Sequence, residues 1–386
     1  MSMSRALCAL TALSGLLLAC SPAEPQQAAA PPAPASSGAA VPTNASFDQP
    51  LPAAPAPGTC DIAALSTRDK LAQLLMVGVS GAADARAVVA DQHVGGIMIG
   101  SWTDKSMLGA PRADIAAQAG PLSLAVSVDE EGGRVSRLAG VIGSQPSARE
   151  LAQTKTPDEV YGIALERGRA MRGLGITVDF APVVDMTTQS AAIGDRSFGD
   201  DPQTVTEYAG AYARGLRDAG VLPVLKHFPG HGRASGDSHT GAVSTPPLAE
   251  LQNDDLVPYR TLTAQPPVAV MVGHMQVPGL TGGEQASLSP AAYNLLRSEF
   301  GFGGLVYTDD LSSMAAINQQ YGVAAAVLKS LQAGADVALW ITTAEVPAVL
   351  DRLEQAVAAG ELSQAAVDAS VQRVAAAKGP NPNCGR

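Results

Sequence analysis

From Leu65 onward two patterns alternate along the chain. Short, almost continuously apolar runs recur at Leu74–Val79, Gly96–Gly100, Leu124–Asp129, Thr177–Asp185, Leu222–Phe228, Val268–His274, Gly304–Asp309 and Asp336–Ile341. Runs of this length without polar alternation mark strands covered on both faces. Between them lie Ala-rich stretches with an apolar stripe at helical spacing, such as Val205–Ala219, Pro290–Phe300 and Met314–Ala333. Gly220, Gly301 and Gly334 follow these stretches, where a glycine ends a helix without steric penalty. Strands and helices in this alternation predict an α/β protein with a single (β/α)8 TIM barrel spanning residues 60–386. An open doubly wound sheet is the alternative, but no glycine-rich dinucleotide turn follows the first strand.

The N-terminal region departs from this pattern. Met1–Cys20 has one early cation, Arg5, then an apolar run, then Leu17-Leu18-Ala19-Cys20. A basic start followed by a short apolar stretch reads as a secretory signal, here residues 1–19. Its ending resembles a bacterial lipobox, which makes Cys20 the expected lipidation site. Residues 20–59 are rich in Ala, Pro, Ser and Gln and poor in large apolar groups. Such a segment cannot bury enough surface to offset its ordering entropy, so a disordered Pro/Ala-rich tether is expected. Multiple acyl chains give stable anchoring where one chain does not. The expectation is an exported, membrane-anchored lipoprotein, at the outer membrane facing the periplasm or at the cell surface. Of four cysteines, Cys60 and Cys384 bracket the folded region. Export places them where disulfides persist, and a bridge between them is expected.

Charge narrows the function. With 25 Lys+Arg against 36 Asp+Glu, the net is −11, which argues against a nucleic-acid partner. A hydrophobic content of 46% supports a large core and excludes global disorder.

Polar residues collect at the C-terminal ends of the predicted strands: Asp129, Asp185, Lys226 with His227, His274, and Asp309 with Asp310. In a barrel those ends form one rim, where active sites are built. Three stretches carry the candidate chemistry. In Lys226-His227-Phe228-Pro229-Gly230-His231-Gly232, continuing to Asp237-Ser238-His239, three of the five histidines fall within thirteen residues. Pro229 and Gly230 prevent the helix that would align His227 with His231, and no metal site or cofactor is expected. In the Gly/Ser-rich part, Asp237 can polarise the imidazole of His239 for proton transfer. In Val306-Tyr307-Thr308-Asp309-Asp310, a carboxylate at a strand end can attack an acetal carbon, and Asp310 suits a cap for the following turn. In Asp129-Glu130-Glu131-Gly132-Gly133, the glycines permit a tight turn that leaves Asp129 facing the rim, with Arg137 reaching back.

These stretches, in this order, resemble glycoside hydrolase family 3. The segment from Lys226 to His239 is similar to its single-domain branch of β-N-acetylglucosaminidases, the NagZ-like enzymes. Ala192-Ile193-Gly194-Asp195-Arg196-Ser197-Phe198 also resembles a family segment. The resemblance implies a retaining double displacement with Asp309 as nucleophile and His239, paired with Asp237, as acid/base on a closing loop. Asp129, Arg137, Arg196, Lys226 and His227 would hold the sugar. Glu130 stands where Gln is frequent, Tyr307 is bulkier than usual, and His274 lies in a Gly-His-Met context. The reading is an exported exo-β-N-acetylglucosaminidase acting on peptidoglycan fragments or chitooligosaccharides, with partners limited to carbohydrate and, through the anchor, a membrane. The alternatives are a family 3 β-glucosidase or phosphorylase, or a non-catalytic sugar-binding lipoprotein.

Overall fold

In the computed structural model, which describes residues 62–120, 122–187 and 192–378, eight parallel strands close into a barrel. The strands are β1 (Leu75–Val79), β2 (Gly96–Ile99), β3 (Ala125–Val128), β4 (Val178–Asp179), β5 (Leu222–Phe228), β6 (Ala269–Val272), β7 (Val306–Asp310) and β8 (Val337–Trp340). Each pairs with its neighbours in sequence, and β8 closes on β1 with Leu75 opposite Ala338. The eight predicted apolar runs are therefore the eight staves. The expected signal peptide, Cys20, the tether and the Cys60–Cys384 pair lie outside the described residues.

One strand is much shorter than its apolar run. Thr177–Asp185 reads as continuous, yet the ladder holds only at Val178–Asp179 and resumes as a single bridge between Val183 and Lys226. Pro182 interrupts it, because proline has no amide to donate to a ladder.

Helices cover the outside. Pro157–Leu174 begins with a capping box between Thr156 and Glu159, and Pro202–Asp218 begins on the Asp201 side chain. These two lie side by side, and the approach is close at Gly215. A Cβ there would stand 2.5 Å from the Tyr161 carbonyl oxygen. Gly220, Gly301 and Gly334 have φ of +79°, +65° and +124°, the left-handed geometry expected at helix ends.

Two expected helices differ. Pro290–Asn294 continues as a π-helical turn over Leu295–Glu299. The run Met314–Ala333 is broken into Ala315–Asn318 and Val323–Ala333, with Gly322 starting the second piece. The break has a tertiary cause. The amides of Ala315 and Ala316 donate to the carbonyls of His239 and Ser238, which ties this segment to the loop after β5.

Candidate active site

The strand ends form a mouth, and two neighbouring aspartates at the end of β7 show how the backbone sorts side chains there. Successive residues of a strand point to opposite sides. Asp310 points to the following turn. Its carboxylate accepts from the amides of Ser312 (2.8 Å) and Ser313 (3.1 Å) and from both serine hydroxyls. Asp309 points into the mouth and, among the described residues, accepts only the amide of Asp310, at 2.9 Å. Burial alone would raise the pKa of Asp309. The charges of His227 and His274 and the Asp310 amide outweigh it, and the carboxyl is held well below its ordinary range.

Opposite lies a buried chain of alternating charges. The Lys226 ammonium, on β5, donates to Asp129 at 2.6 Å and to Glu131 at 2.7 Å. Glu131 in turn takes both Nε and Nη2 of Arg196, each at 2.7 Å. Planar guanidinium and carboxylate match in this two-bond geometry. Burial would neutralise each member. The neighbouring opposite charges prevail, so Glu131 is held well below the ordinary carboxylate range and Lys226 is raised.

His227 follows Lys226 and is held by Asp185. Asp185 Oδ2 lies 2.7 Å from His227 Nδ1, and Oδ1 accepts the amide of His231 at 2.6 Å. The ionised carboxylate can only accept, so Nδ1 carries the proton and Nε2 is left for another partner. Burial would raise the pKa of Asp185, yet the facing His227 and the His231 amide hold it low.

The loop after β5 carries the third part. Asp237 Oδ1 accepts from His239 Nδ1 at 2.7 Å and from the His239 amide at 3.0 Å. The same logic leaves His239 Nε2 unengaged by Asp237. The His239 side chain is 63% exposed. Beneath it the buried Ser238 hydroxyl pairs with His231 Nε2 at 3.0 Å. The amides of Ala315 and Ala316, which follow the turn after β7, hold this loop beside the strand end that carries Asp309.

A match to the family model described as "Glycosyl hydrolase family 3 N terminal domain" covers residues 66–377. The chain belongs to glycosyl hydrolase family 3. Among relatives of this family 3 hydrolase is the Mycobacterium tuberculosis protein named beta-hexosaminidase LpqI. It is 61% identical, and the match covers 100% of both chains. A beta-hexosaminidase of Stenotrophomonas maltophilia is 35% identical over 69% of this chain and 82% of its own. The crystal structure of a family 3 glycosyl hydrolase from Mycobacterium smegmatis superposes with a TM-score of 0.82 at 80% identity. It covers 83% of this chain and 99% of its own. The chain is thus a glycoside hydrolase.

Three residues singled out in the sequence serve the framework of this hydrolase. Glu130 does not border the mouth. It is fully buried, pairs with Arg167, and accepts from the Ser136 hydroxyl (2.5 Å) and the amides of Arg137 and Leu138 (2.8 Å each). It therefore shapes the turn that presents Arg137. The Arg137 guanidinium itself has no ion pair or hydrogen bond among the described residues. Tyr307 packs edge-on against Phe180 inside the barrel, with ring centroids 5.6 Å apart. His274 is buried between the Ser287 hydroxyl (2.6 Å) and the Asp310 carbonyl (2.8 Å), stitching β6 to β7.

Glu131 and Asp185 are the functional residues that sequence reasoning gives no role. Glu131 has no signal beyond its place in an acidic turn. Asp185 is visible as a strand-end carboxylate, but its alignment of His227 appears only in the distances. Volume is a poor guide as well. A cavity of about 930 Å³ opens at the opposite end of the barrel, lined by the strand starts Leu75, Gly96, Ala125, Val178, Leu222 and Val337. None of the site residues lies there.

Proposed function

We propose that this chain is a retaining exo-β-N-acetylglucosaminidase, a β-N-acetylhexosaminidase removing terminal N-acetylglucosamine from peptidoglycan fragments or chitooligosaccharides. The observation that carries the reading is the division of labour at the end of β7. Asp310 is used up by a turn, and Asp309 is left ionised in the mouth. The name of the relative sharing 61% identity supports the sugar class.

The terminal sugar binds with its hydroxyls on Asp129, Arg137, Arg196, Lys226 and His227. Asp309 attacks the anomeric carbon as the bond to the leaving oxygen breaks, and His239 Nε2 gives that oxygen a proton. A glycosyl ester on Asp309 results. Water then attacks the same carbon, His239 Nε2 takes its proton, and the Asp309 carboxylate is released. Asp237 keeps the proton on Nδ1, so that the transferable one is on Nε2. A histidine here replaces the second carboxylate of most retaining glycosidases. It avoids placing one more negative charge beside Asp309.

The barrel domain is read as residues 60–386, anchored through lipidated Cys20 and the Pro/Ala-rich segment 20–59 at the outer membrane, facing the periplasm or the cell surface. Among the described residues no helix is long and apolar enough to cross a bilayer. An unmodified N-terminus in the mass spectrum of membrane-extracted protein would refute the anchor. Hydrolysis of a chromogenic N-acetyl-β-glucosaminide tests the activity. Release of chromophore without added phosphate, with N-acetylglucosamine as the product, is expected. Turnover that requires phosphate and yields a sugar phosphate, or no turnover at all, overturns it.

A further inference from the structure

Among the described residues two large apolar side chains are exposed, Trp102 and Val141. Trp102, 45% exposed, follows the end of β2. Its indole lies over Gly100. A Cβ built on Gly100 would fall 2.3, 2.4 and 2.4 Å from the ring atoms Cη2, Cζ2 and Cζ3. Nearly equal distances to three consecutive ring atoms require that Gly100 face the plane of the ring and not its edge. One indole face is thus seated on the glycine, and the opposite face is turned away from it.

The register tells where the ring lies. Ile99 of β2 pairs with Val128 of β3, so one step further Gly100 stands beside Asp129. Registered residues of parallel strands point to the same side of a sheet. Asp129 points into the mouth, because it meets Lys226 from β5 there. The indole fills the place beside Asp129 that a side chain on Gly100 would occupy.

This exposure is not that of a frayed loop tip. Thr103 Oγ1 accepts the Gly100 amide at 2.9 Å and donates to the Val79 carbonyl at 2.6 Å. The Lys105 ammonium ties together the carbonyls of Gly100, Ser101 and Thr103 at 2.6, 3.0 and 2.8 Å. Lys105 also lies near enough to Arg137 to feel its charge. A fixed, half-bare indole therefore stands beside Asp129 at the mouth.

A single exposed apolar side chain is ordinary; Trp102 differs in presenting a fixed, bare indole face at the mouth, and such a face packs on apolar surface. Beside carboxylate and guanidinium groups, the fitting partner has hydroxyls round its edge and C–H bonds on its face, which describes a pyranose. We propose that Trp102 is the stacking wall of the sugar subsite, its free face packing on the C–H face of the ring whose hydroxyls Asp129 takes. This rests on the glycosidase reading of the mouth.

The chain has two tryptophans, and the other, Trp340, is fully buried in β8. Both indoles emit, but Trp102 alone is open to solvent and sugar, so a sugar-dependent shift in emission reports Trp102. The enzyme is titrated with N-acetylglucosamine and, in parallel, with glucose. A saturable blue shift with at least one sugar is expected, and Trp102→Phe should abolish it. Trp102→Ala should raise KM for the chromogenic glycoside about tenfold with kcat nearly unchanged, the mark of lost uniform binding. Trp102→Phe, which keeps an aromatic face, should restore most of the KM. The wall is refuted if neither sugar moves the emission, or if Trp102→Ala leaves KM unchanged in an enzyme that turns over. A shift with glucose alone, matched by glucosidase activity, would overturn the N-acetylglucosamine reading and leave the wall standing.

Discussion

The two halves of the mouth are built differently. On one side Asp129, Glu131, Lys226, His227 and Asp185 sit on strand ends or the turns directly after them, Arg196 reaches in from the 3-10 turn Gly194–Arg196, and most are buried. Lys226 retains 2% of its side-chain exposure. Each of these groups has at least one partner of opposite charge or complementary hydrogen bonding. On the other side Asp237 and His239 ride on an exposed loop, attached below by the Ser238–His231 pair and by two backbone bonds to Ala315 and Ala316. The difference follows from the tasks. Holding hydroxyls needs fixed, desolvated charges. Passing a proton to a departing group and then taking one from water needs a residue that water and substrate can both reach.

The largest effect should come from Asp309, which faces the reacting atoms from the end of β7. Asp309→Ala is expected to lower kcat by roughly 10⁴-fold with folding intact. Asp310→Ala should instead lower thermal stability by freeing the Ser312–Ser313 turn, with a smaller loss of kcat. A fluorinated glycosyl probe that labels Asp310 would reverse the assignment.

His239→Ala comes next, at about 10²–10⁴-fold on substrates with poor leaving groups. The loss should shrink for glycosides whose leaving group needs no proton. Equal losses on both substrate types would make His239 a merely structural part of the loop, and the two halves would no longer differ in task.

Glu131→Gln tests the fixed half. Breaking a buried ion pair from one side costs about 3–5 kcal/mol, because the partner charge is left uncompensated. Denaturant unfolding at pH 7 should show a loss of that order. The sign with pH is determined by the depressed pKa of Glu131. Its contribution is present in full above the ordinary carboxylate value of 4.5 and is lost as pH falls further. The gap between wild type and variant should therefore narrow below about pH 4.5. A gap that stays constant from pH 7 to pH 3 would mean that the stabilisation does not come from the carboxylate charge.

Much of this is legible in the chain because parallel strands are buried on both faces. All eight strands stand out as apolar runs, and Asp129, Lys226, His227 and Asp309 are readable as the titratable residues at their ends. What escapes is pairing across long separations. Glu131 and Arg196 are 65 positions apart, and nothing local links them. Glu130 and Glu131 look alike in sequence, yet one enters the protein interior to meet Arg167 and the other meets Lys226 at the mouth. The run 314–333 reads as one helix because Gly322 sits among apolar residues. Docking of the His239 loop on Ala315 and Ala316 overrides that local preference. Trp102 carries no periodicity, and its place over Gly100 depends on the register of two strands.

The adjacent aspartates of β7 have a genetic consequence. Losing the codon for Asp309 and losing the codon for Asp310 yield the same protein, with Thr308 followed by a single aspartate. That residue cannot serve both the mouth and the turn, since the strand directs neighbouring side chains to opposite sides. Two identical letters side by side therefore offer no redundancy. An in-frame deletion at this point removes a function even though an aspartate remains in the aligned column.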